Sequence, residues 1–174
     1  MKKGTVYWIT GLSGAGKTTV GTLLFTYLKE RKDTVVFLDG DILRSVYISG
    51  GGGYSTEERK KIAYQDCRMC RMLSEQDIDV VYCGISMYEE CRAWNRENIE
   101  NFNVIYLSVP MEILIKRDKK QLYSKALKGE VSQVVGIDLP FDEPVNPEVL
   151  VDNSGVYTPE EVLKYMIKKL SLES

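Results

Sequence analysis

Short runs of β-branched and aromatic residues alternate with amphipathic stretches along the whole chain. Five runs read as strands: Val6–Thr10, Thr34–Leu38, Asp79–Cys83, Asn103–Ser108 and Glu148–Val151. Each is almost continuously apolar, the pattern of a parallel strand covered on both faces. Between and after them a 3.6-residue period predicts helices at about 16–31, 56–75, 88–100, 111–128 and 159–171. Ser55 stands three residues before Glu58, and Thr158-Pro159 stands just before Glu161. Both are capping boxes, the second with proline at the first helical position. Strands alternating with helices predict an α/β fold, a doubly wound parallel five-stranded sheet flanked by helices. No repeat or linker interrupts the pattern, so residues 1–174 read as one domain.

Two stretches depart from this rhythm. "SGGGGY", residues 49–54, carries four glycines and has nothing to stiffen it. "KRDKKQLYSKALKGE", residues 116–130, is basic with a helical pattern and leads into a proline-rich connector. By themselves they read as a surface loop and a solvated helix face. In a nucleotide-binding α/β protein they also suit mobile covers over a site at the carboxyl ends of the strands, the basic one a lid at about 117–137.

Composition narrows the partners. The 174 residues are 44 % hydrophobic, enough for a sizeable core, and the formal net charge is −2. That balance gives no general attraction to a nucleic acid polymer or an anionic membrane, so any polyanion must be held by local positive charge. No apolar run approaches the ~18 residues of a membrane span, and "MKKGTVYWIT" is too short and too β-branched for a signal peptide. A soluble, cytoplasmic protein is expected. Cys67 and Cys70 form a C-x-x-C, but the chain has no histidine, and Cys83 and Cys91 are not spaced as a second pair. The four read as reduced structural thiols.

The chemistry begins at "GLSGAGKTT", between the first strand and the first helix. Gly11, Gly16, Lys17 and Thr18 satisfy G-x-x-x-x-G-K-[ST] in its required strand–loop–helix context. Backbone N–H groups from Gly14 through Ala15, Gly16 and Lys17 to Thr18 must turn inward around phosphate oxygens, which side chains would obstruct. The helix N-terminus adds partial positive charge. Lys17 reaches the β- and γ-phosphates, and the Thr18 hydroxyl binds Mg²⁺. Ser13 and Thr19 complete the loop, which holds a nucleoside triphosphate.

What happens to the phosphate depends on other residues. No N-K-x-D guanine motif and no L-S-G-G-Q signature is present. "FLDGDILR" instead closes the second strand with Asp39 and Asp41, and Arg44 follows within a turn. One carboxylate can hold a Mg²⁺-bound water while the other accepts the proton of an acceptor hydroxyl. Arg44 is placed to clamp an anionic acceptor. The competing reading is an Asp-Gly-Asp turn that caps a helix. Taken together, the two motifs describe a small-molecule kinase; a non-catalytic ATP-binding scaffold would leave the aspartate pair idle.

The segments "WITGLSGAGKTT", "LDGDILR", "YSTEERKKI", "CGISMY", "RDKKQLYSKALKGE" and "GIDLPFDEPVNPEVLVD" resemble, in the same order, those of adenylylsulfate (APS) kinases. The resemblance runs from Val6 to Asp152. It implies the P-loop NTPase fold and transfer of the ATP γ-phosphoryl to a ribose 3′-hydroxyl. Lys17 and Thr18 then serve ATP and Mg²⁺, with Asp39 near the metal, directly or through water, and Asp41 as the base. Arg44 and Arg59 are implied to bind the acceptor's 5′ anionic group, and Ile85 and Ser86 to present backbone N–H groups to it. Lys120 and Arg117 would belong to the lid, Lys120 reaching both substrates. Tyr54, Ile62, Met87, Leu122, Val134, Gly136 and Ile137 would complete the acceptor site. A homodimer is also implied. Without the resemblance, Arg59 and Lys120 would read as solvated helix charges.

The departures fall on the acceptor side. Where APS kinases carry asparagines, this chain has Ile42 and Ile62; "SPY" or "SPH" becomes Ser86-Met87-Tyr88. Of two phenylalanines that hold the acceptor adenine, one is replaced by Tyr54 and the other by Val134. Losing an aromatic face removes stacking of about 1 kcal/mol. A relative of the family acts on cytidine 5′-diphosphoramidate, a precursor for capsule decoration that is also a nucleotide with a small anionic 5′ cap. Its smaller pyrimidine suits a site with one aromatic wall, which favours it over APS as the acceptor. APS and an unrelated small metabolite stand as the alternatives.

Overall fold

The computed structural model describes residues 2–47, 53–118 and 121–173. Five strands, β1 (Thr5–Thr10), β2 (Val35–Asp39), β3 (Asp79–Gly84), β4 (Asn101–Ser108) and β5 (Val149–Asp152), form one sheet in the order β2-β3-β1-β4-β5. All pairings are parallel; Ile9 on β1 lies between Cys83 on β3 and Ile105 on β4. Every strand therefore ends at the same edge. The chain runs to one side of β1 for β2 and β3 and to the other for β4 and β5. The carboxyl end of β1 is thus the switch point, where open α/β sheets bind ligands.

Alternate residues of β1 serve the two faces. Tyr7 and Ile9 join one buried cluster with Leu24 and Leu28 of α1 (Lys17–Lys29) and Val162 and Met166 of α7 (Pro159–Lys169). Val6 and Trp8 join the other, with Ala63, Cys67 and Cys70 of α3 (Thr56–Ser74) and Cys91 of α4 (Glu89–Asn98). This double coverage is the reason for the unbroken apolar runs in the sequence. Both expected capping boxes form, at Ser55–Glu58 and Thr158–Glu161. The four cysteines are buried and free of disulfides.

Two elements differ from the sequence expectation. A helix, α2 (Gly40–Tyr47), starts directly where β2 ends. The predicted helix at 111–128 is two helices, α5 (Met111–Arg117) and α6 (Leu122–Leu127). The Asp118 carboxylate accepts from the backbone N–H groups of Tyr123 and Ser124, at 3.0 and 2.8 Å, and so caps a new helix rather than continuing the old one.

Candidate active site

The loop after β1 is built by glycines at positive φ: Gly14 at 79° and Gly16 at 93°. A Cβ on Gly16 would sit 2.6 Å from the Asn153 side-chain nitrogen, and one on Gly11 would sit 2.7 Å from the Leu107 carbonyl oxygen. Glycine is therefore required by close approach as well as by dihedral angle. Lys17 Nζ donates to the carbonyl oxygens of Gly11 and Leu12, both at 2.9 Å, so its ammonium lies over the loop. Ala15 is fully buried; its carbonyl accepts from Asn153 Nδ2 at 2.7 Å.

Thr18 Oγ1 donates to Asp39 Oδ2 at 2.8 Å. The other carboxylate oxygen, Oδ1, accepts from the Asp41 backbone N–H at 2.9 Å. Asp39 thus caps α2, as one sequence reading of the Asp-Gly-Asp turn expects, and also faces the loop threonine. The Thr18–Asp39 pair supplies hard oxygen donors at the mouth of a phosphate loop, which fits Mg²⁺, an ion that takes few protein ligands besides phosphate and water.

A cavity of about 940 Å³ runs from this loop across the strand ends. Ser13, Gly14, Gly16, Lys17, Thr18 and Thr19 line one part, with Arg117 and, beyond them, Asn153, Gly155 and Tyr157. Asp39, Asp41, Arg44, Tyr54, Arg59, Ile62, Ile85, Ser86, Met87, Leu122 and Val134 line the rest. Arg44 and Arg59 both face the Tyr54 ring, with guanidinium carbons 4.2 and 5.1 Å from its centroid. Arg44 donates to the Gly53 carbonyl. Arg59 donates to the carbonyls of Tyr54 and Gln133, both at 2.8 Å, which ties α3 to the basic segment. Desolvation, opposed by Tyr88 and reinforced by the Arg44 charge, lowers the Arg59 pKa from its usual value. Two guanidiniums sharing one aromatic ring are a ready site for an anion.

Two expected acceptor residues do not reach the cavity. Gly136, at φ 92°, packs behind its wall, where an added Cβ would lie 2.7 Å from Met111 Cε and 3.3 Å from Leu12 Cδ1. Ile137 packs against the larger core cluster. The Ile137 N–H donates to the carbonyl of Val134, itself 3 % exposed, at 3.1 Å. Lys120 and the glycines at 50–52 lie outside the described residues.

Sequence reasoning missed the residues that bridge segments. Tyr123 is 1 % exposed and donates from its hydroxyl to the Ser13 carbonyl at 2.8 Å. Asn153 holds the loop through Ala15, and its own carbonyl accepts from Arg117 at 2.8 Å. The only signal for Asn153 was its place just after the last strand. Asp66 and Tyr82, at the inner wall, carried no motif at all.

Comparisons with known proteins give the family. The family described as adenylylsulphate kinase matches residues 3–152. The chain is 38 % identical over 167 residues to a cytidine diphosphoramidate kinase of Campylobacter jejuni, covering 96 % of both chains. It is also 38 % identical over 167 residues to a probable adenylyl-sulfate kinase of Pyrococcus abyssi, covering 96 % of this chain and 95 % of the other. Among solved structures, the Mycobacterium tuberculosis APS kinase in complex with AMPPNP and APS superimposes with a TM-score of 0.88 at 29 % identity. The match covers 98 % of this chain and 99 % of that one. The phosphate loop, the aspartate turn and the paired arginines, carried on this fold, place the chain in the adenylylsulphate kinase family.

Proposed function

We propose that this nucleotide kinase transfers the γ-phosphoryl of Mg·ATP to the ribose 3′-hydroxyl of cytidine 5′-diphosphoramidate. The observation that carries the proposal is one cavity holding the Thr18–Asp39 pair at the phosphate loop and, beyond Asp41, a two-arginine site walled by Ile62 and Val134. ATP lies with its phosphates in the loop and its base towards Arg117, Asn153 and Tyr157. Lys17 follows the charge on the moving phosphoryl group. Thr18, with Asp39 directly or through water, holds Mg²⁺, which when bound neutralises charge on the β- and γ-phosphates. Asp41 takes the proton of the attacked hydroxyl. Arg44 and Arg59 bind the anionic 5′ cap, and the backbone N–H groups of Ile85 and Ser86 orient the acceptor.

The base identity is supported by the wall. Ile62 and Val134 are both buried apolar residues at the cavity, and neither offers an amide or an aromatic face to a purine. Parallel steady-state assays with cytidine diphosphoramidate and APS test it. The expected result is a higher kcat/KM for the cytidine nucleotide; a preference for APS of about 100-fold, ~2.7 kcal/mol, overturns it and makes APS the acceptor. The reading also includes a cytoplasmic homodimer, which light scattering of the purified protein tests. Among the described residues no helix is long and apolar enough to cross a membrane.

A further inference from the structure

Behind the half of the cavity assigned to the acceptor lies a buried polar chain that the mechanism does not use. Asp66 is 2 % exposed, and Tyr82, 1 % exposed, sits opposite it on β3. The Tyr82 hydroxyl donates to Asp66 Oδ2 at 2.7 Å and lies 2.9 Å from Ser86 Oγ. A carboxylate is the better acceptor for the phenolic proton, so Ser86 donates to Tyr82. The tyrosine ring stacks on Trp8 with centroids 3.8 Å apart, which fixes the plane of the ring.

The phenolic oxygen is therefore a junction. A Cβ on Gly84 would lie 2.0 Å from it, and one on Gly40, in the turn between Asp39 and Asp41, would lie 3.5 Å away. Glycine at both places keeps the space beside the hydroxyl open, where the end of β3 and the aspartate turn approach it. Ser86 meanwhile has φ 25°, a conformation that a non-glycine residue keeps only when its surroundings hold it. Two tethers do so: Ser86 Oγ to Tyr82, and the Ile85 carbonyl, which accepts from Thr10 Oγ1 at 2.5 Å.

We infer that Tyr82, oriented by Asp66, is a positioning residue that holds Ser86, and with it the loop after β3, in the conformation acceptor phosphorylation needs. Burial of the Asp66 carboxyl, with Oδ1 lacking a hydrogen bond of ordinary geometry, opposes folding. Its side chain is in place for the geometry of the site rather than for stability. The inference rests on the reading of this half of the cavity as the acceptor site.

The test uses Tyr82→Phe, which removes the hydroxyl and keeps the ring stack, together with Ser86→Ala and the double variant. Kinetics are measured on folded protein with each of the two nucleotide acceptors. Tyr82→Phe should lower acceptor kcat/KM by about 10-fold while KM for ATP stays level, the size expected for one lost orienting hydrogen bond. The double variant should be no worse than the more damaged single one, since both cut one chain. Unchanged acceptor kcat/KM with only a lower Tm makes the chain purely structural and overturns the inference. So do losses that multiply in the double variant, or a parallel rise in ATP KM. If the wild-type enzyme phosphorylates neither nucleotide, the proposed acceptor fails instead. The crystal structure of Tyr82→Phe then decides: Ser86 leaving positive φ supports positioning, and an unaltered Ser86 overturns it.

Discussion

Asp39 and Asp41 stand two residues apart and have different surroundings. Both oxygens of Asp39 are engaged, one by Thr18 and one by the Asp41 N–H, which suits a fixed group beside the metal. Asp41 lies on the exposed first turn of α2, where a side chain can meet an acceptor hydroxyl. Asp41→Asn should therefore lower kcat by about 10²-fold or more with KM for ATP nearly unchanged. Greater damage from Asp39→Asn at saturating Mg²⁺, with a mild Asp41→Asn, would exchange the two roles. Asp66 gives a second prediction at this scale. Desolvation raises its pKa from 3.8 to about 6, against hydrogen bonds from Tyr82 and Tyr47. The native state thus holds this proton more tightly than the unfolded chain. Its contribution to stability is full below pH ~4 and is lost as pH rises through ~6, in all roughly 3 kcal/mol. Urea unfolding at pH 4 and pH 7.5 should show Asp66→Asn gaining stability relative to wild type at the higher pH. An equal difference at both values would mean that Asp66 is not held protonated.

At the scale of elements, the basic segment carries the clearest prediction. The stretch 117–137 is expected to be a mobile lid. Within it Tyr123 is buried against Ser13, and the Asp138 carboxylate accepts from the N–H groups of Gln133 and Val134, both at 2.5 Å. Between them residues 127–133 are exposed. Amide exchange without nucleotide should be fast at 127–133 and markedly slower at Tyr123 and Val134, with the exposed part slowing when ATP and acceptor are added. Uniform exchange from 117 to 137, unchanged by ligand, would remove the gating role. Helix α3 acts as an element too. Arg59, Ile62 and Asp66, spaced i, i+3, i+7, put one face along the cavity. Ile62→Asn with Val134→Phe should shift kcat/KM towards APS by about 10-fold, ~1.4 kcal/mol of stacking and hydrogen bonding, while KM for ATP stays level. No shift in acceptor preference would mean that these two residues do not line the base.

Among the described residues the molecule is a parallel sheet between two buried clusters, with the loop after β1 and the aspartate turn at the carboxyl ends of their strands. The phosphate loop packs against distant parts of the chain through Asn153, Tyr123 and Arg117, so filling it should stabilise the entire domain. Mg·ADP at about 100 times its Kd adds ~2.7 kcal/mol, which for a chain of this size raises Tm by roughly 5–10 °C. Lys17→Ala should abolish phosphoryl transfer and most of this shift while leaving the Tm without nucleotide near that of wild type. A full shift in that variant would mean that the loop does not hold phosphate through Lys17.

The sequence by itself determined what depends on local spacing. The phosphate loop, the aspartate turn, both capping boxes and the strands were legible because each is a short pattern with a local physical cause: glycine dihedrals, helix-end donors, unbroken apolar runs. Only the tertiary structure decided what depends on distant residues meeting. Asp118 ending one helix and capping the next, Gly136 and Ile137 standing behind the wall, and Asn153 closing on Ala15 from 138 residues away follow from packing. The Asp66–Tyr82–Ser86 chain is the plainest case. Its members sit on α3, β3 and the following loop, and two of them, Asp66 and Tyr82, belong to no motif. They meet because parallel pairing brings the end of β3 beside the aspartate turn while α3 packs across that face of the sheet.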